Sequence, residues 1–494
     1  MCGILCKYDV RKQAKEIKSM TVEYDLVVIG GGSAGLVAAS AGAQINAKVA
    51  LVEKGLLGGD CLHYGCVPSK SMIHAAQIAY DVKNASRFGI YTNPPTIKLE
   101  EALGHVHSVI DTIQKHDSTE RFEKLGVDVI YGKGQFTSGK TFEVNGRYLK
   151  ARSFLIATGS RAAVPPVPGL KEAGFLTNED VFSIKSRPDS IAVIGAGPIG
   201  CELGQSFSRL GSQVTIINSR DVIMPQEDPE AAMVVQKQME SEGIRILSNA
   251  RAEKVDVIDG KKHITAGGKT VIVDEILLAA GRTPNVGSLG LEAAGVEYDK
   301  KGIKVDAKLR TSNKRIYAAG DIIGGYQFTH VAGYEAGVAI GNALVFPFKK
   351  ADYRVIPWAT FTNPELARVG LTEKQARDRY GDDIYILRQN FDGVDRALAE
   401  SAGVGFAKFI TDSKGKILGA HIVGLHAGEL IHEAVLAMSN NLKVSALQCI
   451  HVYPTLSEIS PKTALQLTKQ KYAKNTFLQN VLRKFFNWRR SIAG

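Results

Sequence analysis

Cysteine is scarce in this chain. Six in 494 residues, irregularly spaced, are too few to frame a secreted disulfide scaffold. Long apolar runs are scarce too. Residues 26–47 carry no charge and are long enough to cross a bilayer. Five glycines, two serines, Gln44 and Asn46 interrupt them, however, and their start reads as a strand entering a glycine turn. No apolar run precedes the lysines and arginine of the first 18 residues, so no secretory leader is expected and a soluble, cytoplasmic protein is. Acid is missing where base collects. Residues 1–20 carry five Lys/Arg against Asp9 and Glu16, residues 462–494 carry eight and no acid, and these tails account for the whole net charge of +11. The body between them is neutral, which argues against a nucleic-acid-binding core. With 45% hydrophobic and 22% charged residues the composition is that of a globular chain, not a disordered or collagenous one. The length suits about three domains.

Glycine is what is plentiful, and it recurs in one pattern used twice. Tyr24–Ile29 is a short apolar run suited to a buried strand, followed by Gly30-Gly-Gly32-Ser33-Ala34-Gly35, a small-residue helix, and a second apolar run ending at Glu53. Much later Ser190–Ile194 leads into Gly195-Ala-Gly197-Pro-Ile199-Gly200, then a helix and a strand, Val214–Ile217. Each is GxGxxG inside a βαβ unit. The first glycine allows a tight turn, the second lets backbone N–H groups approach a pyrophosphate, and the third lets helix pack on strand, with the helix N-terminus facing the negative charge. The copies differ where the sugar is read. Eighteen residues after Gly35 stands Glu53, which can accept from ribose hydroxyls. Eighteen after Gly200 stands Asn218, with Arg220 two residues on. A carboxylate there would repel a 2′-phosphate and an arginine accommodates one, so the second copy leans toward NADPH over NADH.

Between the copies lies Gly58-Gly-Asp-Cys61-Leu-His63-Tyr-Gly-Cys66-Val-Pro-Ser-Lys70. Two cysteines with four residues between them, hemmed by glycines and leading into a helix, suit an exchangeable disulfide. As zinc ligands they lack a second Cys/His pair nearby, so no metal site is expected.

With these pieces in place the chain resembles the class I pyridine nucleotide-disulfide oxidoreductases, the flavoenzyme family of dihydrolipoyl dehydrogenase, glutathione reductase and mercuric reductase. The likeness spans roughly residues 22–470 and includes Phe154–Ser160, Leu277–Arg282 and Ile316–Asp321. It implies an α/β architecture: two Rossmann-like dinucleotide-binding domains, one inserted in the other, plus a C-terminal α+β dimerisation domain. Residues 22–155 and 283–350 would bind FAD, 156–282 NADPH or NADH, and 354–470 would form the interface of a homodimer in which the partner's C-terminal domain completes each active site. Residues 1–21 and 471–494 remain as basic tails. On the flavin side the likeness points to Gly30, Gly32, Ser33, Ala34, Gly35, Glu53 and Gly134, and to Thr158, Gly159, Ser160, Asp321 and His330. On the nicotinamide side it points to Gly195, Gly197, Ile199, Gly200, Asn218, Arg220 and Gly281. Hydride would pass from NAD(P)H to flavin and on to the disulfide, with Cys66 next to the ring and Cys61 attacking substrate. Lys70 matches a lysine beside the flavin and Glu202 its acidic partner.

One position departs from the family. In disulfide reductases a histidine stands directly before the proline of the C-terminal signature, five residues ahead of the glutamate that orients it. Here the segment reads His451-Val-Tyr453-Pro454-Thr-Leu-Ser-Glu458. Tyrosine, with a pKa near ~10, is no near-neutral base. Either disulfide exchange is impaired or His451 reaches the site. Mercuric reductase also lacks that histidine, and the sequence sits near the mercuric-reductase-like group, but the C-terminal cysteine pair that hands over the metal is absent; the last cysteine is Cys449. A soft metal ion or small oxidant is the favoured electron acceptor. A dihydrolipoyl-dehydrogenase-like disulfide reductase and an NAD(P)H:quinone or transhydrogenase-type flavoenzyme are the alternatives. Cys201 and Cys449 are expected to be buried packing residues. Lys469–Ala493 carries aromatic and aliphatic residues at helical spacing among seven Lys/Arg. Such a basic amphipathic helix fits an anionic membrane surface, at the inner face of the membrane, or docking on the dimer.

Overall fold

The computed structural model describes residues 22–493; the basic stretch 1–21, with Cys2 and Cys6, lies outside them. Residues 22–68, 104–163 and 282–351 form one compact unit and residues 69–103, 164–281 and 352–493 another.

The first unit is built on a seven-stranded sheet. Its centre is β1 (Tyr24–Ile29), flanked in parallel by β2 (Val49–Glu53) and by Arg147–Ile156. Asp128–Tyr131 extends it beyond β2, and Ile316–Ala318 adds a parallel strand on Arg147–Ile156. Covered on both faces, β1 is apolar almost throughout, as a central parallel strand must be. On one face Leu26, Val28 and Leu51 pack with Ala38 and Ala39 of α1 (Ser33–Gln44) and with Ala336 and Ala339 of the helix Thr329–Ile340. The run of small residues in α1 is what lets it lie close to sheet and helix. On the other face Val27, Ile29 and Val52 pack with Phe136, Phe142 and Phe154. The helix α2 (Cys66–Lys83) begins in this unit, and Ser69 onward is counted in the second.

The second unit repeats the pattern. β3 (Ser190–Ile194), α3 (Pro198–Arg209) and β4 (Gln213–Ile217) belong to a four-stranded parallel sheet completed by Arg245–Leu247 and Glu275–Leu278. The C-terminal part is a five-stranded antiparallel sheet, in the order Pro357–Thr360, Glu365–Gly370, Ile417–Gly424, Phe406–Asp412, Ile384–Asn390. α4 (Ile459–Lys474) buries Ile459, Ala464 and Leu467 against Leu387, Ala407 and Phe409. The basic tail expected from residue 471 therefore divides: α4 runs to Lys474, and a separate helix, α5 (Thr476–Ser491), follows Asn475. The architecture is α/β with two Rossmann-type sheets and a C-terminal α+β region, as the sequence led us to expect.

Candidate redox and nucleotide-binding site

In the first unit the glycine turn has the geometry its sequence demands. Gly30 adopts φ +106°, and a Cβ there would lie 2.4 Å from the Ala157 carbonyl oxygen. A Cβ on Gly35 would lie 1.8 Å from the Gly30 carbonyl oxygen, so the third glycine is what lets α1 start against β1. Gly32 caps α1 without any side-chain hydrogen bond, and a Cβ on it would have no neighbour nearer than 3.9 Å. The first N–H groups of α1, at Ser33 and Ala34, thus stand at an open turn with the helix dipole behind them, which suits a pyrophosphate. Glu53 ends β2 and accepts from Gly31 N at 2.5 Å and Gly55 N at 2.7 Å. A carboxylate has about four acceptor sites, so room remains for ribose hydroxyls.

The redox segment is pinned to this turn. Gly58 N donates to Gly31 O at 2.9 Å, and a Cβ on Gly59 would lie 2.7 Å from Gly32 Cα. The short helix Gly59–His63 carries Cys61, and α2 opens with Cys66. Both are thiols here, partly buried at Cys61 and exposed at Cys66. The Cys61 thiol is hydrogen-bonded to Cys66, and that bond, followed by burial, pushes its pKa well above the ordinary thiol range. Cys66 Sγ also meets Thr329 Oγ1 at 3.3 Å. Both cysteines lie in the first turn of a helix, where negative charge is favoured. His63 is held by the Leu57 carbonyl at 2.9 Å, and His330 stacks on Phe328 at 5.5 Å.

Asp321 lies beside this segment in an ion cluster. Ser160 Oγ donates to it at 2.5 Å, and Arg282 stands 3.4 Å from Asp321 and 3.1 Å from Asp60. Burial raises the Asp321 pKa, while Ser160 and Arg282 hold it back. Thr158 and Gly159 are fixed by Asn285, whose side-chain amide donates to Thr158 O at 2.9 Å and whose N–H donates to Gly159 O at 3.0 Å. Gly134 lies on the strand Gly134–Ser138, where a Cβ would meet the Phe142 ring at 2.4 Å; its glycine is required by that packing.

In the second unit the turn is rebuilt. Gly195 has φ +113° and abuts the Ala279 carbonyl oxygen, and a Cβ on Gly200 would lie 2.0 Å from Gly195 O. Gly197 caps α3 with no side-chain bond, and a Cβ on it would meet nothing within 4 Å. Ile199 is partly exposed on the first turn, and Gly281 holds φ +117° in open space. Asn218 follows β4; its Oδ1 accepts from Arg220 N at 3.2 Å, and its Nδ2 is buried with no hydrogen-bond partner. Arg220 is exposed.

Also in this unit, Lys70 Nζ and Glu202 Oε2 lie 2.8 Å apart, although 132 positions separate them in sequence. Glu202 is almost wholly buried and accepts from Phe361 N at 2.9 Å, while Lys70 Nζ sits 4.4 Å from the Phe361 ring centre. A buried carboxylate needs such partners.

The C-terminal signature does not assemble in the family manner. His451 Nε2 meets Glu433 Oε1 at 3.0 Å and Nδ1 meets the Cys449 carbonyl at 2.8 Å. Both ring nitrogens thus lie within hydrogen-bond distance of oxygen atoms, Cys449 O and Glu433 Oε1. Tyr453 donates to Asp395 at 2.9 Å, and that bond raises its pKa, so the phenol keeps its proton through neutral pH. Glu458 lies 3.8 Å from Lys462, and its Oε2 is buried without a partner. Cys201 is buried as expected, and its thiol is pushed up by burial. Cys449 is not: it is exposed, because it lies on an extended surface stretch beside the fully exposed Ile450.

Sequence reasoning brought together Cys61 with Cys66, Glu53 with its turn, and Lys70 with Glu202. It missed Arg282, although that residue closes the quoted motif at Gly281, and Thr329, the neighbour of His330. Asp60, Phe361 and Glu433 gave no signal, because their partners are remote in sequence.

Two Rossmann turns, each open at its pyrophosphate position, and a thiol pair fastened to the first define a dinucleotide-dependent dithiol oxidoreductase. The chain belongs to the pyridine nucleotide-disulphide oxidoreductase family: residues 24–336 match that family, and residues 356–464 match its dimerisation domain. It is accordingly an FAD- and NAD(P)H-dependent oxidoreductase with a disulfide redox centre. Among similar proteins, a mercuric reductase of Bacillus cereus is 38% identical over 88% of this chain and 70% of its own length. A mercuric reductase of Staphylococcus aureus is 37% identical over 90% of this chain and 83% of its own. A dihydrolipoyl dehydrogenase of Chlamydia pneumoniae is 34% identical over 91% and 98%. Among solved structures, the Cu(II) complex of the HOCl-induced flavoprotein disulfide reductase RclA from Escherichia coli superposes with a TM-score of 0.80 at 28% identity, covering 88% of this chain and 98% of that one.

Proposed function

We propose that this enzyme passes electrons from NADPH through FAD and the Cys61–Cys66 pair to a thiophilic metal ion or a small oxidant. The observation that carries this reading is the pinned redox segment: the thiol pair hangs from the flavin-side turn, while the position of the family's base in the C-terminal signature holds Tyr453. FAD, held by the Gly30–Gly35 turn, Glu53 and Asp321, supplies hydride acceptance from the nicotinamide and two-electron exchange with the sulfurs. The resulting dithiol returns to the disulfide as the acceptor takes two electrons, and two protons leave. Lys70, neutralised by Glu202, offers a positive charge at modest desolvation cost. On this reading residues 22–155 and 283–350 hold FAD, 156–282 hold the nicotinamide nucleotide and 354–470 form the homodimer surface. A cytoplasmic setting, where thiols are kept reduced, fits that chemistry.

The acid–base geometry supports this choice of acceptor. Reducing an organic disulfide requires a proton for the leaving thiolate, and the Tyr453 hydroxyl, which stands in place of the family's histidine, donates to Asp395. A metal ion that displaces the thiol proton needs no such donor. Two mercuric reductases and a copper complex of RclA stand among the similar proteins, which agrees with this choice. The dihydrolipoyl dehydrogenase relatives favour a second reading, in which lipoamide-type disulfides are reduced. Purified enzyme with NADPH should turn over Hg(II), Cu(II) or a small oxidant at least ~10²-fold faster than lipoamide or glutathione disulfide, the size of a lost general acid. Robust lipoamide turnover that vanishes in His451→Ala would overturn the proposal and establish the disulfide-reductase reading.

A further inference from the structure

We propose that α5 is a surface anchor for an anionic lipid bilayer. The inference is independent of the acceptor. α5 is a defined element with its own cap: the Asn475 side chain accepts from Leu478 N at 2.9 Å. The Gln479 side-chain amide donates to Tyr472 O at 2.7 Å and Ala473 O at 3.0 Å, fastening the first turn to the end of α4. Beyond that turn nothing among the described residues covers it, and none of its residues is buried.

Its sequence is sorted by face. At about 100° per residue, Phe477, Val481, Phe485, Trp488 and Ile492 fall on one stripe, with Leu478 and Leu482 beside them. Thr476, Asn480, Arg483, Asn487 and Arg490 fall opposite. Lys484 and Arg489 flank the stripe on its two sides, and the Arg489 guanidinium lies 6.0 Å from the Phe485 ring centre. The large apolar side chains of the stripe are in water: Phe477 is 78%, Phe485 44% and Trp488 57% exposed, while Phe486 lies off the stripe.

Charge selects the partner. Residues 459–494 contain no aspartate or glutamate. A folded protein partner, or a second copy of this helix, would bring its own cations or would need an acidic surface that this chain does not supply here. A bilayer bearing anionic headgroups meets both needs: the apolar stripe enters the headgroup–acyl boundary while Lys484 and Arg489 stay at phosphate level. The aromatic residues suit that boundary. The geometry is that of a helix lying in the surface, since no helix among the described residues is long and apolar enough to cross a membrane.

The test is co-sedimentation of the full-length, FAD-loaded protein with phosphatidylcholine vesicles containing phosphatidylglycerol, and with phosphatidylcholine alone. Trp488 emission is followed in parallel, with Trp488→Phe reporting the background of Trp358. Binding to the anionic vesicles alone, with a blue shift, is expected. It should weaken roughly tenfold or more in Lys484→Gln/Arg489→Gln, since each cation near the surface contributes to attraction, and should be lost in Val481→Glu/Phe485→Glu. These positions are exposed, so flavin content and NADPH-dependent turnover should be unchanged in each variant. Three results would overturn the proposal: no binding to anionic vesicles, equal binding to neutral ones, or a Val481→Glu/Phe485→Glu variant whose main change, by light scattering, is a smaller oligomer. The last would assign the face to a second copy of the chain.

Discussion

The two glycine turns are built to one plan and lead to strands that end on different side chains. Gly30 and Gly195 share a left-handed φ, +106° and +113°, and each abuts the carbonyl of an alanine at the end of a neighbouring strand. Gly35 and Gly200 both sit with a hydrogen where a Cβ would strike the first glycine's carbonyl, at 1.8 and 2.0 Å. The turns part company at the residue closing the following strand. Glu53 is a carboxylate already engaged by two backbone N–H groups, and Asn218 is an amide whose buried Nδ2 has no partner. The turn's backbone is thus set by steric rules common to both copies, while those rules leave the side chain that closes the following strand free to differ.

The sharpest way to break this comparison is to close each turn in turn. Gly35→Ala should empty the protein of flavin, read as the ratio of visible to ultraviolet absorbance. Gly200→Ala should keep flavin but slow its reduction by NADPH by ~10²-fold, the cost of misplacing a reacting group by about 1 Å. Equal flavin loss in both variants would show that the turns do not serve separate nucleotides. Next in size, Cys66→Ser should leave NADPH reduction of the flavin intact and bring acceptor reduction to background, which separates the turns from the thiols that the first one carries. Full acceptor turnover in that variant would instead favour a quinone- or transhydrogenase-type flavoenzyme.

Asn218→Asp would sharpen the comparison by giving the second turn the charge of the first. The ratio of kcat/KM for NADPH to that for NADH should fall about tenfold, or roughly 1.4 kcal/mol. A wild-type enzyme that already prefers NADH would refute the 2′-phosphate reading. The smallest effect is expected from Arg220→Ala. An exposed arginine should contribute only a few-fold to NADPH binding, and its contribution should fade as salt is raised. KM for NADPH measured across ionic strength, with NADH as control, would show it.

Legibility in the sequence tracks the distance over which a constraint acts. Gly35 announces itself because the clash it avoids, with the Gly30 carbonyl oxygen, lies within one turn. Cys61 and Cys66 were readable because five positions separate them and both lie at helix starts. Lys70 and Glu202 meet across 132 positions, and only resemblance to a family pointed to that pair. His451 shows where resemblance itself runs out. The signature suggested that it might serve with Glu458 in place of the missing base. The fold gives it Glu433, because α4 and the preceding surface stretch place residue 451 over the helix His432–Ser439. Cys449, expected in the core, rides outward on the same stretch.

By itself the sequence determined the two nucleotide units, the redox pair and the amphipathic tail, since each rests on local periodicity or on the absence of a Cβ. Tertiary structure alone decided that Gly58 ties the redox helix to the first turn, that Arg282 bridges Asp60 and Asp321, and that His451 and Tyr453 spend their donors on Glu433 and Asp395. Hydrogen bonds between groups remote in sequence leave no mark on either partner's local composition, because any carboxylate brought to the right place would satisfy the same donor.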